Sequence, residues 1–196
     1  MIDQKRILEA EKNVQQYIQE ERLFIKRKDI AHYVPFFLKN AETSLLTAKA
    51  LLELSTENQK KQTFGLEETF ETYLWVIVPS YYSMFYAALA LFAKNEMKVG
   101  DQFAHKVVAD TLIVNFLKNQ KLAKLLEMYE ETKDQAMQIM GSQDKARILV
   151  QDYEYERQKR HELQYEVGKE AKHNLANTSL TRATQFIAEI RNILRK

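Results

Sequence analysis

The stretch TYLWVIVPSYYSMFYAALALFA, from Thr72 to Ala93, decides the fold, because it carries no charged residue over 22 positions. A helix of that length is long enough to cross a bilayer. Its four tyrosines, however, are spread along the stretch and are not gathered at its ends as in an interfacial belt, and Pro79 and two serines interrupt it. We therefore predict a helix buried in the middle of a helical bundle, and no membrane span.

The rest of the chain also has the character of a helical protein. Only four glycines and two prolines occur in 196 residues, and alternating apolar and polar runs are rare. One apolar stripe with spacings of three and four follows Pro35: it consists of Leu38, Ala41, Leu45, Ala48 and Leu52. We predict an all-α protein in which an antiparallel four- to five-helix bundle, residues 33–196, follows a charged N-terminal helical extension, residues 1–32.

The pattern also predicts where the individual helices lie. In the extension, the apolar points are sparse: Ile7, Val14, Ile18 and Ile25. After the helix that starts at Pro35 we expect a loop at 55–65, and then helices at about 67–95, 101–118, 121–140, from 143 to near 168, and from about 179 onward. Gly141 and Ser142 are the expected stop between the fourth and fifth of these helices. We also expect Tyr81 and Phe85 to point inward, Tyr82 or Tyr86 to reach a cleft, and His105 to pack or cap.

Composition excludes several classes of function. The 29 basic and 27 acidic residues give a net charge of +2, so any electrostatic footprint for nucleic acid must be local. The chain has no cysteine and four histidines, which excludes disulfides and thiolate chemistry and limits metal sites. Glu170 and His173 form one Glu-x-x-His pair, but a di-metal bundle needs a second pair, so we expect no metal. No phosphate loop, dinucleotide fingerprint or nucleophile elbow is present, and we expect no cofactor. The charged N-terminus predicts a cytoplasmic protein.

A basic stretch, YERQKRHELQYEVG from Tyr155 to Gly168, is the strongest candidate for a site. On an ideal helix Arg157, Arg160 and Gln164 fall within about 40° of Tyr153, together with the apolar residues Leu149 and Val167. Arginine is seldom buried without a partner, so this face should border a cleft, a subunit contact or an anion. Two interpretations are open: arginines paired with the neighbouring glutamates, or phosphate ligands beside the titratable His161.

Three segments carry a resemblance to a known family. SYYSMFYAALALFAKN from Ser80 to Asn95, then FAHKVVADTLIVNFLKN, and finally RHELQYEVG resemble the HEPN domain, the nucleotide-binding helical domain of prokaryotes and higher eukaryotes. The likeness is greatest to small stand-alone prokaryotic members and covers roughly Pro35 to Leu194. The first thirty residues and the segment 120–142 look like additions to the family's pattern.

The resemblance implies a metal-independent ribonuclease motif of arginine, a polar residue, a few further residues and then histidine. Arg160 matches the arginine and His161 the polar position, but Tyr165 stands where the terminal histidine is expected. In the implied mechanism that histidine moves a proton at the ribose 2′-hydroxyl, while the arginine stabilises charge on the phosphate. A tyrosine with a pKa near 10 is a poor base at neutral pH, so the departure argues against catalysis.

The resemblance also implies partners. HEPN domains usually pair through their motif helices, which predicts a homodimer whose shared cleft holds RNA or a nucleotide, with Tyr153 or Tyr165 available for base stacking. The biology it implies is that of toxin–antitoxin, stress or defence systems. The alternatives are a non-catalytic interaction module that pairs with another protein, such as a nucleotidyltransferase-type antitoxin, through the arginine face, and a helical scaffold without a ligand.

Overall fold

The computed structural model describes residues 2–116, 120–148 and 169–195, and these residues are mostly helical. In chain order the elements are α1 (Gln4–Gln19), β1 (Leu23–Phe24), a 3-10 helix (Lys28–Tyr33), α2 (Val34–Thr56), α3 (Asn58–Thr63), α4 (Tyr73–Lys94), β2 (Lys98–Val99), α5 (Ala104–Phe116), α6 (Gln120–Ile148) and α7 (Lys169–Leu194). The prediction of a helical bundle is confirmed. Its assignment to the HEPN type stays a prediction.

Helix α4 is the centre of the bundle, with α2 and α7 packed along it. It is long and apolar enough to cross a membrane, but 72% of its most apolar 18-residue window is buried inside the protein. Pro79 lies within the helix without ending it, and the hydroxyl of Ser80 donates to the carbonyl of Val76 at 2.8 Å. The predicted inward direction of Tyr81 and Phe85 is confirmed, since both are buried.

Helix α2 approaches α4 closely because its contact stripe includes small side chains. Ala41 and Ala48 have no exposed surface, and each belongs to a buried cluster that includes α4 residues. Pro35 lies in the first turn of α2, where a missing backbone donor costs nothing. The predicted one-face pattern of this helix is therefore confirmed.

Helix α1 packs against α5 through a narrow apolar stripe. Its start is capped by Asp3, whose carboxylate accepts a hydrogen bond from the backbone N–H of Arg6 at 2.7 Å. Val14 is buried as part of the predicted stripe, and Ala10 and Tyr17 complete the buried set. The first helix therefore contacts the bundle over several turns, while the domain boundary at residue 32 stays a prediction.

A short antiparallel ribbon joins the N-terminal segment to the α4–α5 connection, and the sequence did not predict it. Leu23 pairs with Val99 and Phe24 with Lys98. The backbone N–H of Gly100 donates to the carbonyl of Arg22 at 2.8 Å, and a Cβ at Gly100 would lie 3.3 Å from that same oxygen. Glycine is therefore favoured at this crossing for its close backbone approach.

Four predicted boundaries are wrong, and the first is the start of α4, which lies at Tyr73 and not near residue 67. The expected loop at 55–65 contains α3, which is held because the buried Lys61 donates from Nζ to the carbonyl of Glu68 at 2.6 Å. Helix α6 continues through Gly141 to Ile148, since one interior glycine costs only about 1 kcal/mol. The last helix is already formed at Lys169, ten residues before the expected start, and it buries Ala176 against α2 and α4.

Candidate functional site

The six residues that the sequence singled out all lie in the segment 149–168, outside the described residues. They are Tyr153, Arg157, Arg160, His161, Gln164 and Tyr165. Their roles, and the long helix expected to carry them beyond Ile148, stay predictions.

The two helices that flank this segment run antiparallel. The ring of Tyr129 on α6 lies 5.7 Å from the ring of Phe186 on α7. Further along α6, Gln135 accepts a hydrogen bond at 3.3 Å from Ser179, which precedes Phe186 in α7. An ion pair between Glu131 and Arg182 joins the same helices. The segment 149–168 therefore connects two helix ends on the same side of the bundle.

A polar depression of about 500 Å³ lies near the start of α7. It is lined by Ser55, Thr56, Asn58, Lys61, Glu68, Thr69, Tyr73 and His173. The ring of His173 packs edge-on against Tyr73 with centroids 5.2 Å apart, and its Nε2 lies 2.9 Å from the side-chain amide of Asn177. Within the three described ranges no group of three or more His, Cys, Asp or Glu residues could hold a metal ion. The arrangement can offer hydrogen bonds to a polar molecule. Among the described residues, however, no third metal-binding side chain joins Glu170 and His173.

A second polar group lies further along α4 and joins it to α5 and α6. The hydroxyl of Tyr81 is 2.6 Å from Nδ1 of His105, and the hydroxyl of Tyr129 is 3.5 Å from that of Tyr81. The His105 ring also packs at 4.7 Å from the ring of Phe85. The expected packing role of His105 is thus seen, and Tyr81 fixes the orientation of its ring.

Electrostatics keeps all three of these groups uncharged at neutral pH. Burial, and to a smaller extent the positive charge of Lys133, lowers the pKa of His105 below its ordinary value of 6.5. Burial raises the pKa of Tyr81 and of Tyr129 above that of free tyrosine. The group can therefore orient a neutral imidazole, and it offers no fixed charge to a ligand.

A charged network that the sequence reasoning missed anchors α1. Asp110 on α5 has no exposed surface, and its Oδ2 accepts from the hydroxyl of Tyr17 at 2.8 Å and from the side-chain amide of Asn13 at 2.9 Å. Nη1 of Arg6 lies 2.7 Å from Oδ1 of Asp110, an ion-pair contact without hydrogen-bond geometry. Nε and Nη2 of Arg6 donate to the two carboxylate oxygens of Glu130 on α6, both at 3.2 Å.

Two signals in the sequence could have indicated this network. Asp110 is the one charged residue in the apolar run VVADTLIV, and a charge in a buried helix requires a partner. Arg6, Asn13 and Tyr17 recur at spacings that place them on one side of a helix. The network fixes the N-terminal helix to the bundle.

No protein-family model, curated protein or solved structure matches the chain.

Proposed function

We propose that the chain is a HEPN-type protein that binds RNA or a nucleotide through Arg160, Arg157 and their neighbours. The observation that carries the proposal is the sequence Arg160-His161-x3-Tyr165. An ideal helix would place Arg157 and Arg160 on the same face as Tyr153 and apolar residues. The helical bundle around a largely buried, apolar central helix is compatible with the proposal. The antiparallel order of α6 and α7 would let the motif segment connect them at one end of the bundle.

The chemistry of the motif favours binding over cleavage. Arginine offers planar, bidentate hydrogen bonding to phosphate, and the tyrosines offer faces for base stacking. Histidine ordinarily has a pKa near 6.5, so a residue of the type of His161 suits proton transfer, whereas tyrosine, with an ordinary pKa near 10, is a poor base at neutral pH. We therefore propose a binding protein of a toxin–antitoxin, stress or defence system, acting as a homodimer in the cytoplasm, and cleavage is the alternative result of the test below.

The test is incubation of the purified protein with fluorescently labelled RNA in the presence of a chelator. We expect saturable binding that weakens as salt is added and weakens strongly in Arg160→Ala, while Arg195→Ala, an exposed arginine near the end of α7, binds like the wild type. Chelator-resistant cleavage that is lost in Arg160→Ala and His161→Ala would instead identify a nuclease. Equal binding by the wild type and Arg160→Ala would refute the proposal.

A second candidate is a non-catalytic module that pairs with a nucleotidyltransferase-type protein. The observation in its favour is an exposed aromatic patch at the start of α2, where the Tyr33 and Phe36 side chains are 43% and 57% exposed and their rings lie 6.3 Å apart. The test is co-expression with a nucleotidyltransferase-type protein of the same genome. A stable complex that Phe36→Ser disrupts would support this candidate, and RNA binding without such a complex would support the first.

A further inference from the structure

A cavity of about 390 Å³ lies between the 3-10 helix, α2, α4, β2 and the start of α5. This volume is within the range of small-molecule sites, roughly 300–1,000 Å³. Most of its wall is apolar: Ile30, Phe37, Phe85, Leu89, Met97 and Val99. Tyr82 lines the same cavity. The rings of Phe37, Tyr82 and Phe85 favour a flat aromatic ligand, because aromatic faces and edges attract each other.

The charges around the cavity favour a ligand without net charge. Lys98 and Asp101 are the two charged residues of the lining; they are opposite in sign, and both are exposed to solvent. An ion bound here would lose its hydration without a matching excess of opposite charge. The other ionisable residues of the lining are Tyr82 and His105, and the lowered pKa of His105 keeps its ring neutral at pH 7.

His105 supplies a polar contact inside the lining. Its Nδ1 is engaged by Tyr81, so the ring is held in place, while its Nε2 has no hydrogen-bond partner in the part of the chain that the structure describes. A small ligand group that can both donate and accept, such as a hydroxyl, can pair with Nε2 in either tautomer of the ring. A cavity with one polar contact in an apolar wall is typical of small-molecule sites.

The wall formed by residues 97–101 is tied to the N-terminal segment by the β1–β2 ribbon and by the hydrogen bond from Gly100 to Arg22. Glu96 and Phe103 have φ angles of 58° and 54°, which are costly for residues other than glycine and persist only where the surroundings fix them. The ribbon with β1 and the guanidinium of Arg22, 4.7 Å from the ring centre of Phe103, fix this segment. The cavity is therefore preformed, and binding need not order the loop.

We propose that this cavity binds a small, uncharged aromatic molecule whose hydroxyl-type group hydrogen-bonds to Nε2 of His105. The site uses none of the residues of the proposed RNA-binding motif, so the two proposals can fail separately. A ligand here would contact α4, α5 and the ribbon at once and would stabilise their packing.

Three naphthalene compounds test the proposal by titration calorimetry: 2-naphthol, naphthalene, and naphthalene-2-sulfonate. We expect 2-naphthol to bind at one site per chain, naphthalene to bind about two- to tenfold more weakly because it lacks the hydrogen bond, and the sulfonate at least about tenfold more weakly than 2-naphthol. In His105→Phe the affinity for 2-naphthol should fall to that for naphthalene. Ala104→Trp, which places an indole at the lining, should weaken both by at least about tenfold, whereas Ala171→Trp, an exposed position on α7, should leave both unchanged.

Each other outcome overturns a defined part of the proposal. No saturable binding of 2-naphthol by the wild type up to its solubility limit, or equal binding by folded Ala104→Trp, overturns the site. Tighter binding of the sulfonate overturns the uncharged class of ligand. Equal preference for 2-naphthol over naphthalene in the wild type and in folded His105→Phe overturns the role of His105. Circular dichroism and the melting temperature show that each variant is folded, and the comparison of the three compounds on the wild type needs no variant.

Discussion

Arg6 on α1 is the positive partner of the buried Asp110 on α5, and it also pairs with Glu130 on α6. Arg6→Met keeps most of the aliphatic stem but leaves the carboxylate of Asp110, which has no exposed surface, without its positive partner. Removing one partner of a buried pair costs about 3–5 kcal/mol. The lower end applies here, because the Arg6 side chain is 23% exposed, and because Tyr17 and Asn13 still donate to Asp110. We expect a loss of about 3 kcal/mol in the free energy of unfolding, and a melting temperature lower by about 6–12 °C.

Urea and thermal unfolding followed by circular dichroism measure this loss, and two further variants make the result decisive. Lys5→Met removes an exposed charge from the same helix, and its effect should stay within about 0.5 kcal/mol. In an Asp110→Asn background Arg6→Met should cost clearly less, because no buried charge is then left unpaired. An equal cost of Arg6→Met in both backgrounds would refute the reasoning.

Changes at Glu130, His105 and Ala88 should each alter the free energy of unfolding. Burial opposes the ionisation of Glu130, but the hydrogen bond from Arg6 and the charge of Lys133 outweigh burial and hold the pKa of Glu130 below 4.5. The ionised carboxylate therefore stabilises the folded protein above pH 4.5, and this stabilisation is lost as the pH falls through the folded-state pKa. Glu130→Gln should accordingly lose less unfolding free energy than the wild type in urea titrations between about pH 6 and pH 3. Because the pKa of His105 is lower in the folded than in the unfolded protein, the unfolded chain is protonated first as the pH falls. The free energy of unfolding should therefore decrease below pH 6.5. An NMR titration midpoint of the His105 ring at or above 6.5 would contradict this. Ala88→Leu should cost about 1–3 kcal/mol through overpacking, since Ala88 has no exposed surface in α4, and an unchanged urea midpoint would show that the core has room.

The sequence predicted the core of the fold well where the apolar pattern was strong. The uncharged run from Thr72 to Ala93 indicated a buried helix, and the stripe from Leu38 to Leu52 indicated its neighbour, because burial of one face imposes a helical period on the sequence. Boundaries were predicted less well. Gly141 did not end α6, since a preference of about 1 kcal/mol is easily outweighed by the rest of a long helix.

Long-range contacts were not predictable from local patterns. The ribbon joins Leu23 to Val99, and neither strand is long enough to show an alternating pattern. Likewise, the cavity beside His105 is built from five elements that only the fold brings together. The basic motif, by contrast, was visible in the sequence, and its role stays a prediction because it lies outside the described residues.

The position of α4 between α2 and α7 has a consequence during synthesis. Phe186 and Ile187 of α7 belong to the cluster that covers α4, yet they follow Phe85 by roughly 100 residues in the chain. A ribosome adds about 5–20 residues per second, so it makes them about 5–20 s after Phe85. During that interval one side of the most apolar helix has its early neighbour α2 but not its final one. Ribosomes that stall before α7 should therefore release chains that aggregate or recruit chaperones, even though α1 to α5 are complete.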